Sequence, residues 1–185
     1  MTPTLPHEPV VADVVRWLER AVIGLNLCPF AKSVHVKGQV HCCVAPSAEV
    51  PGVLDALDAE ITGLLRVPPE VRDTTLLIVP HGFEEFILFQ QLVGDAERRL
   101  RRRKLDGILQ LAHFHPEFVF AASPPDDPAN CTNRAPWPIL HLLREQSIDQ
   151  AVAAFPDPAA IFEQNIARLR SLGQEGWSRL GVGPS

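Results

Sequence analysis

Residues 114–118, FHPEF, put a histidine directly after an apolar run, and residues 133–145, NRAPWPILHLLRE, gather two arginines, an asparagine, a second histidine and a glutamate. A hydrophobic core has little use for so many titratable groups, so chemistry is expected in these two stretches. His115 precedes Pro116, which holds the backbone before it extended. An imidazole fixed there suits a general acid or base, or a metal ligand, near neutral pH. Asn133 and Arg134 stand just before a predicted helix start. Free N–H groups and a forked guanidinium at such a place would hold a carboxylate or phosphate. The competing reading makes Thr132 or Asn133 a helix cap and pairs Arg134 with Asp126 or Asp127.

His141 and Glu145 are four residues apart and would share one face of that helix. With His115 they make a two-histidine, one-carboxylate set suited to iron or zinc. Ile139, Leu142 and Leu143 form the apolar stripe of the same helix, and His141 points away from it, towards a cleft or solvent. Arg144 is a second anion-binding candidate, and Glu145 would orient His141 or Arg134. Cys28 opens CPFA: a cysteine capping a helix with proline in its first turn has a lowered thiol pKa and becomes a nucleophile. The alternative is a packed cysteine at a helix end. His113 and His115 form an HxH pair on one strand face, although His113 alone reads as a satisfied histidine. The basic run 98–104 reads as the solvated end of a helix, where positive charge complements the dipole.

The elements that would position these groups follow from periodicity. Apolar residues at helical spacing predict helices from Val11 to Leu25, from about Pro51 to Leu65 and over 84–104. A fourth is predicted from Pro136 or Pro138 to about Phe155. A fifth has Asp157 as its N-cap, Pro158 in its first turn and Gly173 closing it. Strands are predicted over 35–45, 74–80 and 107–114, and Phe118–Phe120 extend the last or pair as a short fourth. Residues 1–9, with three prolines, read as a flexible arm before one globular domain over 10–180. The alternation of helices and strands predicts a single α/β domain: a three- to four-stranded, mostly parallel or mixed sheet packed with about five helices. Ligands in such sheets sit beyond the carboxyl ends of strands, where His81 and His115 fall.

Bulk composition narrows the function classes. The 185 residues are 46% hydrophobic and 21% charged with net charge −5, the profile of one globular domain. Mild acidity argues against nucleic acid as partner. No apolar run approaches the ~20 residues of a membrane span, and no signal peptide is visible at the N-terminus. The four cysteines form no CxxC and read as reduced thiols of a cytoplasmic protein. Cys42 and Cys43, adjacent in a strand, point to opposite faces.

The segments GLNLCPFAK, TTLLIVP, GILQLAHFHPEFVF, NCTNRAPWPILHLLRE and NIARLRSLGQEGW together resemble the bacterial and plastid family called domain of unknown function 1415. The resemblance runs in order over nearly the whole chain. It implies a shared site on Cys28–Phe30, Phe114–Pro116, Asn133–Pro138 and His141–Glu145, and no particular reaction. Two positions depart from the family pattern: Ala135 stands where it has serine, and Trp137 where it has tyrosine. The family pattern lacks a second histidine at 113, which favours His115 acting with other groups. CPFA alone also resembles the thiol motif of omega-class glutathione transferases, but there it follows a strand and here a helix.

These readings converge on an enzyme of hydrolytic or group-transfer type acting on a small anionic metabolite. Arg134, Arg144, Asn133 and His141 would bind it, and His115, Cys28 and Glu145 would catalyse. One alternative is a mononuclear zinc or iron protein using His115, His141 and Glu145. The other is a non-catalytic anion-binding or adaptor module. All the enzyme roles require His115, Arg134 and Arg144 to meet in one cavity.

Overall fold

A computed structural model describes residues 7–121, 123–153, 157 and 159–185. Helix α1 (His7–Trp17) begins inside the segment expected to be an arm, of which residues 1–6 lie outside the described ones. It buries Val10, Val14 and Trp17 and continues as a π-helical segment, Leu18–Ile23. The strand expected over 35–45 is shorter. Helix α2 (Ala31–Val36) takes its first residues, the chain turns at Gly38 with φ 69°, and β1 is Val40–Val44. Helix α3 (Val50–Leu65) and strand β2 (Thr74–Ile78) follow close to their predicted places, and β2 is buried throughout. Helix α4 (Phe86–Arg102) and strand β3 (Leu109–Phe114) also match.

The predicted fourth helix is the main correction. Residues Ile139–Arg144 are strand β4, and only Glu145–Ala153 are helical, as α5. The expected end at Phe155 lies outside the described residues, as does Pro158. Ile139, Leu140 and Leu142 are buried, so β4 presents apolar side chains to both faces, and such a run has no periodicity to separate strand from helix. Residues 118–120 form no strand. The long loop carries a 3-10 turn, Pro128–Asn133, capped by Asp127. Helix α6 (Ala159–Arg179) bends at Gly173, φ 68°, where a helix end was predicted.

The four strands lie in the order β1-β2-β4-β3. β1 and β2 are parallel, and β4 runs antiparallel to both β2 and β3. Strands β1, β2 and β3 therefore point the same way, with β4 inserted between the last two against them. This is the α/β fold with a mixed sheet that the sequence predicts.

Alternation along the strands builds two cores. On one face Leu77, Leu140 and Leu142 meet Leu57, Ile61 and Leu64 of α3 and Phe89, Leu92 and Ala96 of α4. On the other, Leu76, Ile78 and Ile139 meet Val10, Val14 and Trp17 of α1. Each such leucine or isoleucine withdrawn from water contributes about 2 kcal/mol. A third cluster, Leu27, Cys131 and Leu169, fastens α6 to the 3-10 turn.

Candidate metal centre

The residues expected to form one site are divided between the two ends of the sheet. Arg144 is opposite Leu109 and Ile139 opposite Phe114 in the β3–β4 ladder. Five strand steps, about 17 Å, separate the Arg144 end from the His115 end. Glu145 continues from Arg144, its amide bonded to the Ile108 carbonyl. The expected set of His115, His141 and Glu145 is therefore not a ligand cluster, and the three cation- and base-bearing groups His115, Arg134 and Arg144 do not share a cavity.

His115 is completely buried. Its Nε2 donates to the Phe83 carbonyl at 3.0 Å and its Nδ1 accepts from the Glu117 amide at 3.0 Å. Its ring lies against Phe86 and Phe89. Burial lowers its pKa, so it is a neutral pin with both nitrogens used, joining the loop after β2 to the turn after β3. Asn133 closes the same junction: its carbonyl accepts from His115 N and its side chain donates to the His113 carbonyl. Arg134 donates to the carbonyls of Phe118 and Pro125. Asp127, its expected partner, pairs with Arg170. His115, Asn133 and Arg134 all hold backbone atoms of the surrounding loops.

His141 is on β4, not on a helix, and it packs beside Phe114. Thr74 Oγ1 donates to the Leu142 carbonyl at 2.7 Å, so it accepts from His141 Nε2 at 2.6 Å. Desolvation lowers the His141 pKa to about 4. Cys28 is half-buried against the α1-side core. It does not cap a helix: α2 starts at Ala31 with Phe30 in the cap position. Within the basic run, Arg99 and Arg103 pair with Asp58, Arg98 with Asp95 and Arg101 with Glu97.

Among the described residues one group of three has metal-ligand character: a His41 ring nitrogen, Cys43 Sγ and a Glu60 carboxylate oxygen all lie within 4.8 Å of one another. Local structure explains the meeting. His41 and Cys43 are two apart on the edge strand β1 and point to the same face. Glu60 descends to them from α3, whose Leu57, Ile61 and Leu64 pack on that face. His41 Nε2 is 3.5 Å from Glu60 Oε2. With zinc–ligand bonds of about 2.0–2.3 Å, tetrahedral ligands stand about 3.5 Å apart, so small side-chain rotations close the set.

Burial, Glu60 and Arg72 set the electrostatics of the group. Burial raises the Cys43 pKa well above its ordinary value and the Glu60 charge raises it further. A metal ion reverses that balance by taking the thiolate. His41 has a lowered pKa, from desolvation and then from Arg72, so it is neutral and ready to coordinate at pH 7. Arg72 pairs with Glu60 through NH2, and its Nε and NH2 both reach Thr75 Oγ1.

A recess of about 230 Å³ opens beside the group, lined by Gly38, His41, Gly63, Val67, Val71 and Arg72. It is at the amino-terminal end of β1, opposite to where the sheet rule directs attention. Arg144 supports it from behind, donating to the carbonyls of Leu64, Val67 and Arg72. The sequence reading missed His41, Glu60 and Arg72 altogether. The HxC spacing on a strand was the one available signal, because Glu60 joins only through tertiary packing.

The fold and the cluster together define a small single-sheet α/β protein with a three-ligand candidate metal centre on its edge strand. The family model described as "Protein of unknown function (DUF1415)" matches residues 9–179, and the chain belongs to that family. No curated protein and no solved structure matches it. Among the described residues no helix is long and apolar enough to cross a membrane.

Proposed function

We propose that the protein is a mononuclear metalloprotein of the zinc class, with His41, Cys43 and Glu60 as ligands and hydrolysis as its reaction type. The observation that carries this reading is the mutual approach of the three ligand atoms within 4.8 Å beside an open recess. Three protein ligands leave a fourth position for water, the pattern of catalytic rather than structural zinc. A zinc ion held by these residues would lower the pKa of bound water and supply hydroxide near neutral pH. Hydroxide would attack an electrophilic carbon or phosphorus, the bond to the leaving group would break, and the departing group would take up a proton.

The test is metal analysis of untagged full-length protein, with Cys43→Ser and Glu60→Gln alongside. About one equivalent of zinc in the wild type and less than a tenth in each variant is expected. Equal, sub-stoichiometric metal in all three would refute the proposal. Release of the thiol proton should raise affinity about tenfold per pH unit from 6 to 8.

A further inference from the structure

We infer that the recess beside His41, Cys43 and Glu60 binds a small oxyanion, a carboxylate or phosphate group, on Arg72. This rests on the metal reading above and names the class of ligand that centre takes. Arg72 lines the recess, yet its NH1 has no hydrogen-bond partner among the described residues; the partners of the guanidinium are all on Nε and NH2.

NH1 packs over Gly63 at the recess: a Cβ there would stand 3.1 Å from it, tighter than ordinary contact, so the glycine lets the guanidinium sit against α3. Gly63 is inside α3, where glycine costs about 1 kcal/mol relative to alanine, so helix stability alone does not call for it. The guanidinium thus places a donor without a partner among the described residues at the recess, which His41 also lines.

Charge points the same way. Thiolate and carboxylate together offset the two positive charges of the ion, and His41 adds none. Arg72 then leaves the site with one net positive charge. Coordination also draws Glu60 towards the ion, which weakens its hold on Arg72 and frees further N–H groups of the fork. An oxyanion can bridge such a pair, one oxygen on the ion and another on the guanidinium. The recess, about 230 Å³, equals roughly eight waters at about 30 Å³ each, room for a small oxyanion.

The experiment uses full-length protein loaded with one equivalent of cobalt(II), titrated with inorganic phosphate and separately with acetate at constant ionic strength. The visible cobalt bands report the open position, and the sulfur-to-cobalt charge-transfer band reports the Cys43 ligand. Saturable change of the visible bands is expected with an intact charge-transfer band. Arg72→Gln should weaken anion binding at least tenfold. Gly63→Ala, which crowds NH1 without removing a ligand or a helical hydrogen bond, should weaken it several-fold and keeps the test alive if Arg72→Gln fails to fold. A charge-transfer band with no response to either anion, or equal affinities in both variants and wild type, overturns the inference while the metal reading stands. Absence of the charge-transfer band in the wild type overturns both.

Discussion

His115 shows how a residue can look catalytic and be structural. Its type and its place after a strand are those of a general base, but both nitrogens are committed and no solvent reaches it. His115→Ala should lower stability by about 2–4 kcal/mol, since it removes a buried ring and leaves the Phe83 carbonyl without its donor. It should leave metal stoichiometry unchanged. Chemical denaturation checks the first expectation and metal analysis the second. His141 carries the pH dependence. Its pKa falls from 6.5 to about 4 on folding, because desolvation disfavours the charged ring. The unfolded chain therefore binds more protons across that interval, and stability drops as pH falls from about 6.5 towards 4. A shift of this size amounts to at most about 3 kcal/mol, and partial exposure of the residue reduces it. His41, His113 and His115 also have lowered pKa values and act in the same direction. His141→Gln should flatten the stability curve between pH 6.5 and 4 relative to wild type; parallel curves would contradict the assignment. At this scale the sequence names the polar residues that matter to the fold, but not which have free atoms, because partners such as the Phe83 carbonyl and Thr74 come from distant segments.

Amphipathic elements were legible, and the doubly buried one was not. α3 and α4 repeat apolar residues at helical spacing with charges opposite, and both appear within two residues of their expected bounds. β4 reads ILHLLR, whose three leucines and arginine favour helix by propensity, and becomes a strand because β2 and β3 flank it. That single misassignment placed His141 and Glu145 on a common helical face and created an apparent ligand pair. It also concealed the role of Arg144, which leaves the end of β4 to hold the carbonyls of Leu64, Val67 and Arg72. Arg144→Ala should cost about 1–3 kcal/mol by removing part-buried hydrogen bonds to three carbonyls. Arg144→Lys should restore little of it, since one ammonium on a flexible stem cannot reproduce the fork. Thermal or denaturant unfolding of the two variants decides this. Because the same carbonyls belong to the segment carrying Arg72, both variants should also weaken oxyanion binding at the recess.

At the scale of the whole molecule, the sheet separates a closed polar junction from the candidate metal centre. The end where β3 finishes and β4 starts is a closed polar junction of His115, Asn133 and Arg134, fastened further by Trp17 donating to the Arg134 carbonyl at 2.8 Å. The edge formed by β1 and α3 keeps its polar atoms near one another and near an opening. A ligand that binds only the folded chain stabilises it by mass action, by about 4 kcal/mol at a thousand times its dissociation constant. Zinc should therefore raise the unfolding midpoint of wild type and not of Glu60→Gln. The most direct measurement of the centre is X-ray absorption at the zinc edge on protein loaded with one equivalent. One sulfur near 2.3 Å with nitrogen and oxygen ligands near 2.0–2.2 Å is the expected shell, and the sulfur should vanish in Cys43→Ser. A wild-type shell of nitrogen and oxygen alone would contradict the account.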